Sequence, residues 1–159
     1  MAEIRRTEIR RAGPADAAAI AALTRAAYEK WVPVIGRAPK PMTADYAVAV
    51  AAHLIDLLES DGTLVALIEC ICEPDHLLIE NLAVAPAHQG QGHGLRLMAH
   101  AEELAGSLGL NEVRLYTNKL FAGNVAFYKK LGYRVDGESA YLGGFIVHMS
   151  KRIGAQFAD

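Results

Sequence analysis

The sequence predicts an α/β (α+β) fold, built on one mixed sheet of six to seven strands with about four flanking helices. Three observations carry this. Asp61-Gly62 stands between two apolar runs, a strong local signal for an antiparallel hairpin. Residues 77–117 read as strand, helix and strand with short joints; such a unit is right-handed and makes its two strands, 77–84 and 111–117, parallel. The 159 residues contain neither an internal repeat nor a linker, so one domain is expected over 1–159.

The elements follow in order. Residues 3–11 alternate loosely and read as a first strand. Residues 12–31 read as a helix: Pro14 suits its first turn, Asp16 favours its positive end, and Ile20, Leu23, Ala27 and Trp31 recur at helical spacing. Residues 32–42, VPVIGRAPKPM, hold three prolines and a glycine and read as a long loop. Thr43 or Asp45 caps a second helix that runs through Tyr46 to Ala52. The hairpin strands lie at 53–60 and 63–73, and Pro74-Asp75 turns the chain into a strand over 76–84. A helix extends from Gly92 to Ser107, with Leu97, Ala101, Leu104 and Leu108 as its buried stripe and Gly109 as its stop. In the next strand Val113, Leu115 and Thr117 alternate with Arg114 and Tyr116. Asn124 opens a short helix over 125–131, closed by Gly132, and two strands at 133–137 and 145–152 finish the chain.

Composition narrows the function. With 52% hydrophobic and 21% charged residues the chain has a packed core. A net charge of −2 argues against a nucleic-acid binder held by charge. No leader pattern and no apolar run of membrane-spanning length stands out, so a cytoplasmic protein with no membrane partner is expected. Cys70 and Cys72 share a strand face and read as small core residues. His53, His76, His88, His93, His100 and His148 lack the companions and spacing of a zinc site, so no metal is expected.

The stretch AHQGQGHGLRL, residues 87–97, carries the chemistry. Gly90, Gly92 and Gly94 form G-x-G-x-G, the wrong spacing for a dinucleotide fingerprint, and no Gly-Lys-Ser/Thr follows as in a P-loop. Successive glycines before a helix still let backbone N–H groups converge on an anion, where the helix dipole adds to them.

This turn has a companion. NLAVAPAHQGQGHG (81–94) followed by NVAFYKKLGYRV (124–135) resembles the GNAT superfamily of N-acetyltransferases. Gln89, Gly92 and Gly94 match the family's Gln/Arg-x-x-Gly-x-Gly/Ala motif. Asn124, Phe127, Tyr128, Gly132 and Tyr133 match its second motif. The chain is most similar to small bacterial members with a proline-rich loop after the first helix and Leu-Tyr-Thr-Asn (115–118) closing the fifth strand.

The resemblance implies acetyl-CoA as acyl donor. It implies that Gln89, Gly90, Gln91, Gly92, His93 and Gly94 cradle the coenzyme A pyrophosphate. It also implies that the parallel pair splays, with the pantetheine arm lying along Leu82, Ala83 and Val84 as an added strand would. Asn118 and Asn124 are then polar contacts to that arm, and a free N–H around Ala83 serves the developing oxyanion. Tyr128 is the candidate acid for the leaving thiolate. It is four residues after Asn124, so the two share one side of the helix.

Glu80 is the candidate base; the alternatives are that it orients the acceptor amine or pairs with a basic side chain. A half-buried carboxylate in an apolar strand suits a proton acceptor working near neutrality. Strand alternation places Glu80 and Asn81 on opposite faces. Trp31, Arg37 and Lys40, at or near the proline-rich loop, are candidate acceptor-binding residues. The expected reaction is direct acetyl transfer to the amine of a small or amino-acid-like molecule in a ternary complex. The alternatives are a non-catalytic acyl-CoA-binding module and a protein or peptide acetyltransferase. Family members are often homodimers.

Overall fold

The computed structural model describes residues 6–154; residues 3–5 of the expected first strand lie outside them. Strand β1 (Thr7–Arg11) leads through a 3-10 turn (Pro14–Asp16) into α1 (Ala17–Tyr28). A second 3-10 turn, Glu29–Trp31, follows, and the helical run continues past the predicted end at Trp31.

The proline-rich segment is less irregular than expected. It contains two single-turn helices, α2 (Val32–Ile35) and α3 (Lys40–Thr43), separated at Gly36, whose φ is +74°. Pro33 and Pro41 each sit in a first helical turn, where a proline's fixed φ and missing N–H cost nothing. Helix α4 (Tyr46–Ala52) is capped by Asp45, which accepts from the N–H groups of Ala47 and Val48. Thr43 instead ends α3.

Seven strands then share one sheet, with β2 (Leu54–Ser60), β3 (Thr63–Cys72), β4 (Leu77–Val84), β5 (Glu112–Asn118), β6 (Arg134–Tyr141) and β7 (Gly144–Arg152) in the order β1-β2-β3-β4-β5-β7-β6. All neighbours are antiparallel except β4 and β5, which are parallel and joined by α5 (His93–Ser107). Helix α6 (Ala122–Lys130) precedes β6.

The sheet is covered on both faces. Leu97 and Ala101 of α5 pack with Ile68, Cys70 and Leu77 on one side. Ile20 and Leu23 of α1 and Ala49 of α4 pack with Leu57 and Leu67 on the other. The α5 stripe departs from expectation. Met98, Glu102 and Ala105 are buried with Leu97 and Ala101, but Leu104 is half-buried and Leu108 exposed, because Leu108 lies past the last full turn. Cys72, at the end of β3, is exposed and is not a core residue like Cys70.

One irregularity shapes β4. Ile79 faces Cys70 and Asn81 faces Glu69, so Glu80 is an extra residue with no partner across the β3–β4 ladder. This bulge resets the alternation. Leu77 and Ile79 therefore pack on the α5 side together with Leu82 and Val84.

Candidate active site

The site begins where the parallel pair ends. Strands β4 and β5 pair at Leu77–Val113, Leu78–Arg114 and Ile79–Leu115, and part beyond these positions. The β5-facing edge of β4 is thus unladdered from Glu80 to Val84. The Leu82 carbonyl accepts from the Tyr28 hydroxyl at 3.3 Å, and the Val84 carbonyl from Gln89 Nε2 at 3.2 Å. A strand residue turns its N–H and C=O to the same edge, so Leu82 and Val84 present their N–H groups to the opening. Ala83 directs its own to β3, where Leu67 is its partner. The strand pleat therefore moves the free donor expected around Ala83 to the two residues flanking it.

The glycine turn closes one end of this opening. Gly90 and Gly92 adopt φ of +78° and +84°, and Gly92 is the N-cap of α5. A Cβ at either position would meet nothing within 4 Å, so backbone conformation, not close packing, calls for glycine here. The first N–H groups of α5 have no intrahelical acceptor and face outward with the positive end of the helix dipole. A cavity of about 300 Å³ lies against the turn, walled by Ala83, Val84, Gln89, Gly92 and Gly94. His88 and His93 line it too. His88 Nδ1 is buried with no partner among the described residues, and His93 Nε2 lies 3.2 Å from Gln91 Oε1. A long anion with hydrogen-bonding oxygens fits this donor set.

The other end of the opening is a second cavity, whose walls include Glu80, Asn81, Tyr116 and Asn118, with Arg37, Pro39 and Tyr141. Glu80 Oε1 accepts from Lys40 Nζ at 3.0 Å and from the Tyr116 hydroxyl at 2.9 Å. The carboxylate hydrogen bond raises Lys40 above its ordinary pKa. Burial, with Glu80 adding to it, pushes the Tyr116 hydroxyl up to about 12. Glu80 thus pairs with a basic side chain, one of the alternatives open in the sequence, and with a phenol besides. Because of the bulge, Glu80 and Asn81 face the same cavity and not opposite sides of the sheet.

The two cavities meet at Tyr28, Leu82, Asn124 and Tyr128, which line both. Tyr128 is buried, packs edge-on against Phe127 and Tyr133, and its hydroxyl is pushed up to about 12 by burial. It stays protonated at neutral pH, as a proton donor must. Asn124 does not open its helix. Helix α6 starts at Ala122, after the Asn118 side chain accepts from the Leu120 N–H at 2.9 Å and tightens the preceding turn. Asn124 lies in the first turn, with Nδ2 at 3.4 Å from Thr117 Oγ1.

Other sequence candidates are divided between the cavities. Arg37 and Lys40 line the Glu80 cavity, and Arg37 lies 5.4 Å over the Tyr141 ring. Trp31 lies apart from them, in the turn-side cavity, stacked on Phe121 at 4.3 Å. Asn118 lines the Glu80 cavity and not the turn side, while Gln91 lies in the turn itself. Two tyrosines entered no sequence-based list. Tyr28 looks like an ordinary helix-end aromatic, and Tyr116 is one of the outward positions of an alternating strand. Among the described residues no three His, Cys, Asp or Glu gather as a metal site requires, and no helix is long and apolar enough to cross a membrane.

A sheet with one splayed parallel pair, a glycine turn at a helix N-terminus and two adjoining cavities with shared walls suit a group-transfer enzyme with a phosphate-bearing donor. More particularly, the chain belongs to the acetyltransferase (GNAT) family, whose sequence profile matches residues 20–133. It is an acetyltransferase, so the reading as a binding module without chemistry falls away. No curated protein matches it significantly.

Solved structures share the fold. The PaiA N-acetyltransferase of Thermoplasma acidophilum, in complex with coenzyme A, is 20% identical, with a TM-score of 0.74 over 92% of this chain and 99% of that one. The ribosomal-protein-S18-alanine N-acetyltransferase of Escherichia coli is 20% identical, with a TM-score of 0.76 over 93% of this chain and 94% of that one. The IAA acetyltransferase of Bacillus cereus is 20% identical, with a TM-score of 0.71 over 93% and 100%.

Proposed function

We propose that this enzyme transfers the acetyl group of acetyl-CoA to the amine of a small or amino-acid-like acceptor, which enters from the Glu80 side. The observation that carries the proposal is the meeting of the two cavities at Tyr28, Leu82, Asn124 and Tyr128. A donor anchored at one end and an acceptor held at the other then come together at one hydroxyl.

Acetyl-CoA, when bound, supplies an activated thioester. The chain's own residues do the rest. The backbone from Gln89 to Gly94 and the N-terminus of α5 hold the pyrophosphate. The outward N–H groups of Leu82 and Val84 offer the hydrogen bonds of an added strand and a donor for the negative oxygen that develops during attack. Tyr128 gives a proton to the departing sulfur. Glu80 receives the acceptor ammonium in exchange for Lys40 and takes its proton, directly or through a water. A lysine-like amine, with a pKa near 10.4, needs such a step at neutral pH.

The walls that Arg37, Pro39, Pro41 and Tyr141 add to the Glu80 cavity make it a concave pocket, which favours a small acceptor over a protein chain. Thiol release from acetyl-CoA in the presence of a panel of small amines, with peptide N-termini as a second arm, tests this. Turnover with small amines supports it. Turnover restricted to peptides moves the acceptor to a protein terminus, and failure to bind acetyl-CoA sinks the proposal entirely.

A further inference from the structure

The splayed edge of β4 treats its donors and its acceptors differently. Leu82 and Val84 each turn an N–H and a carbonyl to the opening. Both carbonyls are engaged by side chains, that of Leu82 by the Tyr28 hydroxyl at 3.3 Å and that of Val84 by Gln89 Nε2 at 3.2 Å. Neither N–H has a side-chain partner among the described residues. An uncovered strand edge invites pairing with another chain, and these two caps block half of its ladder.

A strand-like arm laid along this edge needs both kinds of group. Its carbonyls accept from the Leu82 and Val84 N–H groups. Its amide N–H groups also leave water, and each costs free energy unless it meets an acceptor. The pantetheine arm of coenzyme A carries amides of this kind. On this stretch of edge the main-chain acceptors are the two capped carbonyls.

The caps are held differently. Gln89 lies five residues after Val84, so its bond closes the glycine turn onto its own strand, and losing it opens the turn. Tyr28 reaches Leu82 from 54 residues away, as the last residue of α1. Its 3.3 Å bond is long for an O–H to O contact, which usually spans about 2.5–3.0 Å. Tyr28 lines both cavities, so it has space beside it on the donor and on the acceptor side. Burial raises the pKa of its hydroxyl, which therefore keeps its proton and acts as a donor at neutral pH. Of the two caps, Tyr28 is the one that yields without disturbing the turn.

We propose that Tyr28 is an exchangeable cap on the donor site: its hydroxyl holds the Leu82 carbonyl until an amide N–H of the pantetheine arm takes its place, and donor binding turns the side chain away from β4. The proposal rests on the acetyl-CoA reading above and deepens it by naming the side chain that competes with the donor.

The test is calorimetric titration of wild type and Tyr28→Phe with two ligands, coenzyme A and adenosine 3′,5′-bisphosphate, which lacks the arm. Phenylalanine keeps the ring and removes the competing hydroxyl. Tyr28→Phe is expected to bind coenzyme A about two- to tenfold more tightly than wild type, the worth of one neutral hydrogen bond that no longer has to be broken. Its affinity for the bisphosphate should be unchanged. The ratio of the two affinities is the readout, because a variant that folds poorly weakens both ligands together. An unchanged or lower ratio overturns the proposal, since Tyr28 then ignores the arm or holds it. Equal gains for both ligands leave the ratio unchanged and overturn it too, because the turn and not the strand edge has responded. Failure of wild type to bind coenzyme A overturns the donor reading itself, and the cap with it.

Discussion

Lys40 Nζ lies 3.0 Å from Glu80 Oε1, which ties the proline-rich segment to the bulge of β4 across 40 residues of sequence. The pair is half in solvent, with Lys40 57% and Glu80 15% exposed. An ion pair of that exposure contributes little to folding, about 0–1 kcal/mol. Its consequence lies in the proposed function, in which an acceptor ammonium takes the place of this internal one at Glu80.

Replacement of Lys40 therefore separates stability from binding. Lys40→Met is expected to change unfolding free energy by less than about 1 kcal/mol. The same variant is expected to lower KM for a cationic amine several-fold, because the internal competitor is gone. Urea denaturation and steady-state kinetics read the two effects, and an increased KM would show that Lys40 binds the acceptor instead of competing with it.

Tyr128→Phe removes only the hydroxyl at the junction of the cavities. The expected loss in kcat is about 10²–10⁴-fold, the usual contribution of a positioned acid. Coenzyme A affinity, measured by calorimetric titration, should change little, since in the proposed reading the glycine turn and not the Tyr128 hydroxyl holds the pyrophosphate. An unchanged kcat would remove Tyr128 from the chemistry.

Gly92→Ala tests the turn. Its φ of +84° places an alanine in the left-handed region, at a cost of about 1–2 kcal/mol. Any relaxation moves the N-terminus of α5. Both a lower unfolding free energy and weaker coenzyme A binding are expected. Gly109, which ends α5 at φ +77°, is the control: the same substitution there should cost stability and leave coenzyme A affinity as it was.

A pH-dependent contribution comes from Asp56, 3% exposed on β2, which accepts from Arg11 and lies 2.7 Å from His100 Nε2. Burial pushes its pKa up, but the bonds from His100 and Arg11 outweigh this and leave it below the ordinary value. A carboxyl whose folded pKa lies below its unfolded value of about 3.9 stabilises the protein fully above that value. The contribution is lost as pH falls through the folded pKa. Asp56→Asn is thus expected to cost about 1–3 kcal/mol at pH 7, and progressively less below pH 4. Denaturation midpoints across that range check the sign; a constant difference would mean that Asp56 does not titrate between the two states.

Much of the architecture is legible in the residues alone. Asp61-Gly62 makes the β2–β3 hairpin, residues 77–117 make the parallel pair and its crossover, and Asp45 caps α4. Each depends on contacts close in sequence: turn chemistry, capping and periodicity. The glycine turn is legible for the same reason, since positive φ at Gly90 and Gly92 and the exposed amides of α5 are properties of a few consecutive residues. Two local readings fail at helix ends. Leu108 looks like the next step of a helical stripe, but the helix has ended. Asn124 looks like a cap, but Asn118 has already tightened the turn before it.

Around Glu80 the candidates were legible, since Arg37 and Lys40 line its cavity, but their arrangement was not. Strict alternation puts Glu80 and Asn81 on opposite faces, and only the pairing of β3 with β4 creates the bulge that turns both into one pocket. Nothing near Glu80 in the chain announces Lys40 or Tyr116 as its partners. Residue types and their local order determined the strands, the helices and the anion-binding turn. The charge around Glu80 and the shared walls of the two cavities arise when elements far apart in sequence pack together, and the hydrogen bonds from Lys40 and Tyr116 across those contacts fix the carboxylate in place.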